Sequence, residues 1–206
     1  APSNEEGVYT VNIRATDASA AGNINDTAGD EGSFTLTDNT NPSVIVDFIT
    51  AAGDPDAGDL ITIQTTLTDW AGIASGEYRI QGPTSYDSTW LALDGAGDAT
   101  WDSSNAPSNE EGVYTVNIRA TDASAAGNVN DTVGDEGTFT LTDNTAPIIT
   151  IDFITPSGDP DLNEIIKIES TITDWSGIST AEFRIEGPNL YDSGWLSLNG
   201  SFDEIW

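Results

Sequence analysis

The chain has 206 residues, with 35 acidic side chains against five basic ones, a formal net charge of −30, and no Cys. So few positive charges leave no basic patch for phosphates, which excludes nucleic acid as a partner, and the lack of Cys excludes disulfides. No apolar run approaches the roughly 20 residues that a membrane span needs. The charge also opposes close contact between copies unless cations bridge the carboxylates, which predicts calcium or high salt.

The first predicted element is a strand at Gly7–Asp17, and its sequence recurs letter for letter at Gly112–Asp122. Tyr114, Val116 and Ile118 alternate with polar residues, which is the period of a strand with one buried face. Tyr114 lies two residues before a core position and follows an acidic corner, the spacing of the tyrosine corner in immunoglobulin-like sandwiches. We therefore predict a bond from its hydroxyl to backbone a few residues upstream. An ordinary strand with an interfacial Tyr is the alternative.

The repeat has a period of about 105 residues, because aligning Ala1 with Ala106 extends to the end of the chain. From Pro42 onwards, short runs of alternating apolar residues are separated by turns rich in Gly, Pro and Asp. The predicted strands are Ser43–Thr50, Leu60–Thr68, Glu77–Gln81, Tyr86–Leu93, Ala99–Trp101, Gly112–Thr121 and Gly137–Thr142. Seven strands in about 100 residues predict an all-β fold, built from tandem seven-stranded sandwiches of immunoglobulin or fibronectin type III type.

The repeat divides the chain into three parts. Residues 1–40, the N-terminal part, supply the last two strands of one repeat; residues 41–145, the central unit, form a complete repeat; residues 146–206, the C-terminal part, begin the next. About four residues join consecutive units, too few for a flexible tether, which predicts a stiff rod. The sequence has no Met, which indicates a processed or excised part of a longer product.

Neither terminal part is expected to bury its core alone. Residues equivalent to 1–40 are predicted to complete the C-terminal part, either as the next repeat of a covalent array or as strands of a neighbouring subunit. Both versions bring the same apolar side chains together. The predicted completion set is Tyr9, Val11, Ile13, Phe34 and Leu36 on one side and Ile151, Phe153, Ile166, Ile168 and Ile185 on the other.

The succession GVYTVNIRATDASAAGN followed by DEGTFTLTDNTAPIITIDFI resembles the immunoglobulin-like repeats of bacterial and archaeal adhesins and extracellular filament proteins. The resemblance covers the whole chain, although the Trp content and the scarcity of Lys depart from the usual pattern. It implies a sandwich fold, an extracellular or cell-surface location, and repeats made rigid by calcium.

Acidic loops supply the candidate metal ligands. The loop after the first strand of the central unit and the end of its last strand are predicted to share one pole, near a loop of the next unit. Several carboxylates with an amide oxygen suit Ca²⁺, whereas turn-forming and solvated Asp residues are the alternative. The candidate ligands are Asp54, Asp56, Asp59, Asp143, Asn144 and Asp174.

Two further kinds of site involve carbohydrate. Trp70 and Trp175 lie in loop-like Thr-Asp-Trp segments and are candidates for stacking on surface glycans, whereas core filling is the alternative for the Trp residues in general. Asn25, Asn130 and Asn199 each begin a tripeptide that matches the N-glycosylation acceptor pattern.

The chain contains neither His nor Cys, so the usual nucleophile and base pairs are missing, and we expect no enzymatic activity. The favoured hypothesis is a structural extracellular protein: a cell-surface stalk, sheath or filament whose units continue end to end with copies of themselves. The alternative is a glycan-binding adhesin module that uses loop Trp residues.

Overall fold

The computed structural model describes residues 5–26, 32–49, 55–131, 137–200 and 203–205, which form an all-β structure. Two single-turn 3-10 helices, Ser103–Asn105 and Pro188–Leu190, interrupt the strands, and no helix in the described ranges is long and apolar enough to cross a membrane. The strands are Gly7–Val11 (β1), Arg14–Thr16 (β2), Ile24–Asp26 (β3), Gly32–Leu36 (β4), Ser43–Ile49 (β5), Leu60–Thr68 (β6), Ile73–Gln81 (β7), Leu91–Ala92 (β8), Asp98–Asp102 (β9), Gly112–Asp122 (β10), Val129–Asp131 (β11), Gly137–Leu141 (β12), Ile148–Thr155 (β13), Lys167–Thr173 (β14), Glu182–Phe183 (β15), Leu196–Ser197 (β16) and Asp203–Ile205 (β17).

Two sheets enclose one core in the central unit. One sheet has the strand order β5-β6-β9, and the other has the order β8-β7-β10, with β11 and β12 pairing with the opposite edge of β10. Every second residue of β10 is buried, as its alternating sequence predicts. These side chains meet Ile61 and Ile63 of β6, so residues from both sheets form one hydrophobic cluster.

An aromatic group lies at one end of this core. Tyr114 stacks on Phe139 with ring centroids 5.3 Å apart, and Trp101 packs against both rings. The Tyr114 hydroxyl donates to the carbonyl oxygen of Glu110 at 2.7 Å, which confirms the predicted upstream hydrogen bond.

Most predicted strands are present, but Tyr86–Leu93 is wrong because only Leu91–Ala92 forms a strand there. Thr89 has a φ of 59°, which breaks the extended conformation. The carboxylate of Asp87 holds this bend by accepting the backbone N–H of Thr89 at 2.9 Å and by pairing with Arg79. The short strand β11 was not predicted, because three residues carry too little alternation to be recognised.

The N-terminal part forms two small antiparallel pairs, β1 with β4 and β2 with β3. Their apolar side chains have little cover. Val11, Ile13 and Phe34 are exposed, and Tyr9 and Leu36 are half-buried.

The C-terminal part forms one sheet of order β13-β14-β17 and a separate pair, β15 with β16. A groove of about 790 Å³ runs along its apolar face and is lined by residues that include Ile151, Ile166, Ile168 and Ile185. A β-bulge between Ile151 and Phe153 shifts the register. Consequently Ile154 lines the groove, while Phe153, predicted to join the core, is exposed and lies outside it.

Candidate metal centre

Three aspartates from distant parts of the sequence meet at the boundary between the N-terminal part and the central unit. Asp38 lies just after β4, Asp69 follows β6 directly, and Asp122 is the last residue of β10. Each offers a carboxylate oxygen, and these three oxygens lie within 4.8 Å of one another. We call these three residues the junction triad. It is the one such group of three potential metal ligands found in the described ranges.

Asp38 brings an unusual carboxylate to the triad. Its side chain is only 5% exposed, and its Oδ1 accepts the backbone N–H and the hydroxyl of Thr40 at 2.9 and 2.6 Å. The hydroxyl of Thr40 contributes most to holding the pKa of Asp38 below its ordinary value, so the group stays ionised. Its Oδ2 is buried and has no hydrogen-bond partner among the described residues. A buried anionic oxygen is costly unless a donor or a cation compensates it.

Asp122 is fixed by the loop that follows it. Its Oδ1 accepts hydrogen bonds from Ser124 N, Ser124 Oγ and Asn128 N, and its Oδ2 accepts one from Asn128 Nδ2 at 2.7 Å. Burial raises the pKa of Asp122, but these hydrogen bonds together lower the pKa further, and the net direction is downward. The carboxylate is therefore charged and held in one orientation.

Asp69 is the member whose charge is least favoured. Its Oδ1 accepts the backbone N–H of Ala71 at 2.7 Å. Burial, and then the neighbouring carboxyl groups of Asp38 and Asp122, raise the pKa of Asp69 above its ordinary value. A divalent cation would reverse this effect, because it stabilises the charged form of every carboxylate around it.

Hydrogen bonds across the boundary hold the triad together. Glu6 accepts the backbone N–H of Asp38 at 2.6 Å with one oxygen and that of Ala125 at 2.8 Å with the other. Asn128 Nδ2 also donates to the carbonyl oxygen of Asp38, at 3.2 Å. The N-terminal part and the central unit are thus joined by a polar network with three carboxylates inside it.

At the second boundary, between the central unit and the C-terminal part, two of the three aspartates of the junction triad have counterparts. Asp143 and Asp174 lie 105 residues after Asp38 and Asp69, and their carboxyl groups interact directly. Asp143 Oδ2 accepts the backbone N–H of Ser176 at 3.0 Å, and Asp174 Oδ1 accepts the same N–H at 2.9 Å. The position 105 residues after Asp122 lies beyond residue 206.

The sequence therefore led to two of the relevant residues, Asp143 and Asp174, and the structure brings them together. Asp56 lies nearby, but its carboxylate accepts hydrogen bonds from Asn144 N and Thr145 Oγ1 at 2.9 and 2.8 Å. Asp59 accepts the backbone N–H of Asp56 within the same turn. The Asp56 carboxylate thus connects its own loop to residues 144 and 145, and the Asp59 carboxylate closes the turn at residues 56–59. Asn144 donates its backbone N–H to Asp56 and its side-chain amide to Thr142 Oγ1. Asp54 lies outside the described residues.

Sequence reasoning missed Asp38, Asp69 and Asp122, although a signal was present. The sequence contains six Thr-Asp dipeptides, and their aspartates are residues 17, 38, 69, 122, 143 and 174. Asp17, Asp69 and Asp174 directly follow a strand, Asp122 is the last residue of one, and Asp38 and Asp143 lie two residues beyond one. All six therefore lie at a strand end.

The tryptophans and glycosylation motifs occupy different settings. Trp175 packs against the core of the central unit, Trp70 is half-buried, and Trp90 lies under the guanidinium of Arg119 at 4.4 Å. Trp195 is 64% exposed and lines the groove of the C-terminal part. Among the glycosylation candidates, Asn25 and Asn199 are exposed, whereas the side-chain nitrogen of Asn130 donates to the carbonyl oxygen of Pro42 at 2.8 Å.

No protein-family model matches the sequence, and no curated protein matches it. One solved structure that aligns with 97% of this chain is described as a Ca²⁺-stabilized adhesin that helps an Antarctic bacterium reach out and bind ice. The two chains are 20% identical with a TM-score of 0.34, and this chain spans 48% of the length of that one.

Proposed function

We propose that the protein is a structural, non-catalytic component of an extracellular stalk, sheath or filament, in which calcium makes the joints between repeated units rigid. The observation that carries this proposal is the junction triad at the boundary of two units, where the buried Asp38 Oδ2 has no hydrogen-bond partner in the described part of the chain. Ca²⁺ takes six to eight oxygen ligands at about 2.3–2.6 Å in loose geometry. Asp38, Asp69 and Asp122 would hold it, with water completing the shell.

The proposed units are sandwiches of the immunoglobulin or fibronectin type III kind. The strand orders β5-β6-β9 and β8-β7-β10-β12 support this assignment, as does the hydrogen bond from Tyr114 to the backbone four residues upstream. The sequence motifs resemble repeats of surface adhesins, which supports the location. Calcium sites in extracellular modules work at about 10⁻⁴–10⁻³ M calcium, the range in which this site would act.

A bound cation would stiffen the joint by mass action. Calcium at about 100 times its dissociation constant stabilises the bound arrangement by about 2.7 kcal/mol. Burial of Asp69 and its repulsion by the other two carboxylates, which together raise the pKa of Asp69, oppose the same arrangement without the ion. Calcium concentration would therefore decide whether the rod bends at this boundary.

The test is calcium titration by calorimetry combined with small-angle scattering. Asp69→Asn is expected to weaken calcium binding roughly tenfold or more, so that added calcium no longer stiffens the boundary. Asp59→Asn is the matched control, because Asp59 is an exposed acidic residue that the sequence also predicts as a calcium ligand. Equal calcium affinity for Asp69→Asn and the wild type would contradict the proposal. Loss of calcium affinity in Asp59→Asn alone would show that calcium binds at the turn that contains Asp59 and not at the junction triad.

A further inference from the structure

The C-terminal groove has the shape of a core that lacks two strands. It is lined by Ile149, Ile151, Ile154, Ile168, Ile185 and Trp195. In the central unit, the residues 105 positions before Ile168 and Ile185 are Ile63 and Ile80, and both are completely buried. The strands that complete that core are β10 and β12, whose side chains belong to the same hydrophobic cluster.

The same chain carries a second copy of those strands. Residues 7–17 are identical to residues 112–122, and β1 pairs with β4 in the register that joins β10 to β12: Tyr9 opposite Phe34, and Tyr114 opposite Phe139. The Tyr9 and Phe34 rings stack at 5.3 Å, as the Tyr114 and Phe139 rings do. The strand pair β1–β4 therefore already has the geometry that the pair β10–β12 has inside a complete core.

We propose that the C-terminal groove of one copy binds residues 5–17 and 32–36 of a second copy of this chain. This inference rests on the proposed function, and it identifies a second copy of the chain as the partner through which the filament grows. Tyr9, Val11, Ile13, Phe34 and Leu36 enter the groove.

In this arrangement an edge of β15 in one copy pairs with residues 10–17 of the second copy. In the central unit, β7 pairs with β10 from Ile73 opposite Asp122 to Gln81 opposite Thr115. The segment 105 residues after β7 contains the two-residue strand β15, which pairs with β16, and among the described residues no strand pairs with the other edge of β15. Addition of residues 10–17 of the second copy restores this ladder, with Ile13 opposite Phe183.

Charge complementarity supports the same docking. In the central unit, Arg119 pairs with Glu77 at 2.6 Å and lies over the ring of Trp90. The corresponding residues are Arg14 of the second copy and Glu182 and Trp195 of the first. Arg14 is one of only five basic residues in a chain of net charge −30, and the docked register places it against an acid and an exposed aromatic ring.

The second copy also supplies the missing third carboxylate of the second boundary. Asp17 is the counterpart of Asp122, and it accepts hydrogen bonds from Ser19 N, Ser19 Oγ, Asn23 N and Asn23 Nδ2, in the pattern of the Asp122 loop. Docking places Asp17 beside Asp143 and Asp174. All six Thr-Asp aspartates then belong to two triads for each chain, one within a copy and one shared between copies.

Such a contact is heterologous, because the groove and the insert are different surfaces of each copy. A heterologous contact that does not close into a ring produces an open filament. The inferred product of self-association is therefore a linear polymer of copies joined head to tail.

The deciding experiment is analytical ultracentrifugation of the 206-residue chain over a range of concentrations in millimolar calcium. Val11→Asp is expected to weaken association on the order of 100-fold or more, because it would bury an unpaired charge at the counterpart of Val116, which is 0% exposed. Val8→Asp is the matched control on the same strand, since Val8 is 72% exposed and its counterpart Val113 remains 56% exposed in the complete unit. The wild type and Val8→Asp should polymerise, whereas Val11→Asp should remain at 21.6 kDa.

A wild-type chain that stays monomeric, or a Val11→Asp chain that polymerises like the wild type, would overturn the inference. A charge exchange adds an independent test: Arg14→Glu should weaken association, and Arg14→Glu combined with Glu182→Arg should recover part of it. No recovery would argue against this register.

Calcium stoichiometry separates this inference from the proposed function. The monomeric Val11→Asp chain retains the junction triad and should bind one calcium, whereas the wild-type polymer should bind two for each chain. Asp17→Asn should polymerise and bind only one. A Val11→Asp monomer that binds no calcium would refute the calcium function alone, and a calcium-binding wild type that never associates would refute the docking alone.

Discussion

The same eleven residues occur twice in this protein, at 7–17 and at 112–122, and their surroundings differ. In both places the Tyr hydroxyl donates to a Glu carbonyl oxygen four residues upstream at 2.7 Å. In both places the Tyr ring stacks on a Phe of the partner strand. The local sequence is therefore sufficient for the strand pair, its register and its corner.

What differs between the two places is continuity and burial. Gly112–Asp122 forms one strand because β7 lies along its second edge, whereas residues 7–17 form the shorter strands β1 and β2 with a break between them. Phe139 is 5% exposed and its counterpart Phe34 is 52% exposed. The long strand depends on the neighbouring strand β7 and the buried core depends on the facing sheet, and neither follows from the strand's own sequence alone.

The largest expected effect separates these two Phe residues. Phe139→Ala should lower the free energy of unfolding of the central unit by about 3–5 kcal/mol, because it removes a buried ring and leaves a cavity beside Tyr114. Phe34→Ala in dilute, unassembled protein should change stability by less than about 1 kcal/mol, because half of the ring is already in water. Urea unfolding followed by circular dichroism measures both values. Equal losses at the two positions would mean that the N-terminal strands are as well packed as β10 and β12.

The comparison also explains what could be predicted from the sequence. Strand alternation depends on neighbours within the chain, so β6 and β10 and the Tyr114 corner were found from residue spacing alone. The junction triad depends on three strand ends that lie far apart in the sequence and meet only when the sheets pack. Asp56 and Asp59 matched the acidic-loop pattern equally well, but the carboxylate of Asp56 accepts the backbone N–H of Asn144 and that of Asp59 accepts the backbone N–H of Asp56. Composition cannot distinguish these two uses of Asp.

An intermediate effect is expected at a pair of glycines. A Cβ on Gly137 would collide with the Ile49 side chain, whereas a Cβ on Gly32, its counterpart, would meet nothing within 4 Å. Gly137→Ala should destabilise the central unit by about 1–2 kcal/mol through overpacking. Gly32→Ala should leave the unassembled chain unchanged.

The same glycine pair also provides a test of the docking inference. When residues 32–36 enter the groove of a second copy, a methyl group on Gly32 would meet Ile154, the counterpart of Ile49. Gly32→Ala should therefore weaken polymerisation in ultracentrifugation without lowering the melting temperature of the monomer. A Gly32→Ala chain that polymerises like the wild type would show that this strand docks elsewhere.

The smallest expected effect concerns the hydroxyl of Tyr114. Tyr114→Phe should destabilise the central unit by about 1 kcal/mol, because the carbonyl of Glu110 loses a buried donor. Tyr9→Phe is the matched control and should cost less, because the Tyr9 bond lies in exposed surroundings. Thermal and urea unfolding of the two variants measure the difference, and equal costs would contradict it.

The same hydroxyl predicts a pH dependence. Burial, and then the nearby charges of Glu110 and Tyr86, raise the pKa of Tyr114 from 10.0 to about 12. Between these values the unfolded chain has released the phenolic proton and the folded chain has kept it, so the stability that Tyr114 contributes is complete below pH 10 and declines as the pH approaches about 12. Urea unfolding at a series of alkaline pH values should show this decline in the wild type and a shallower one in Tyr114→Phe. Tyr78, whose pKa burial also raises, remains in the variant, so the dependence should weaken without disappearing. Identical pH profiles for the variant and the wild type would mean that the Tyr114 hydroxyl is open to solvent.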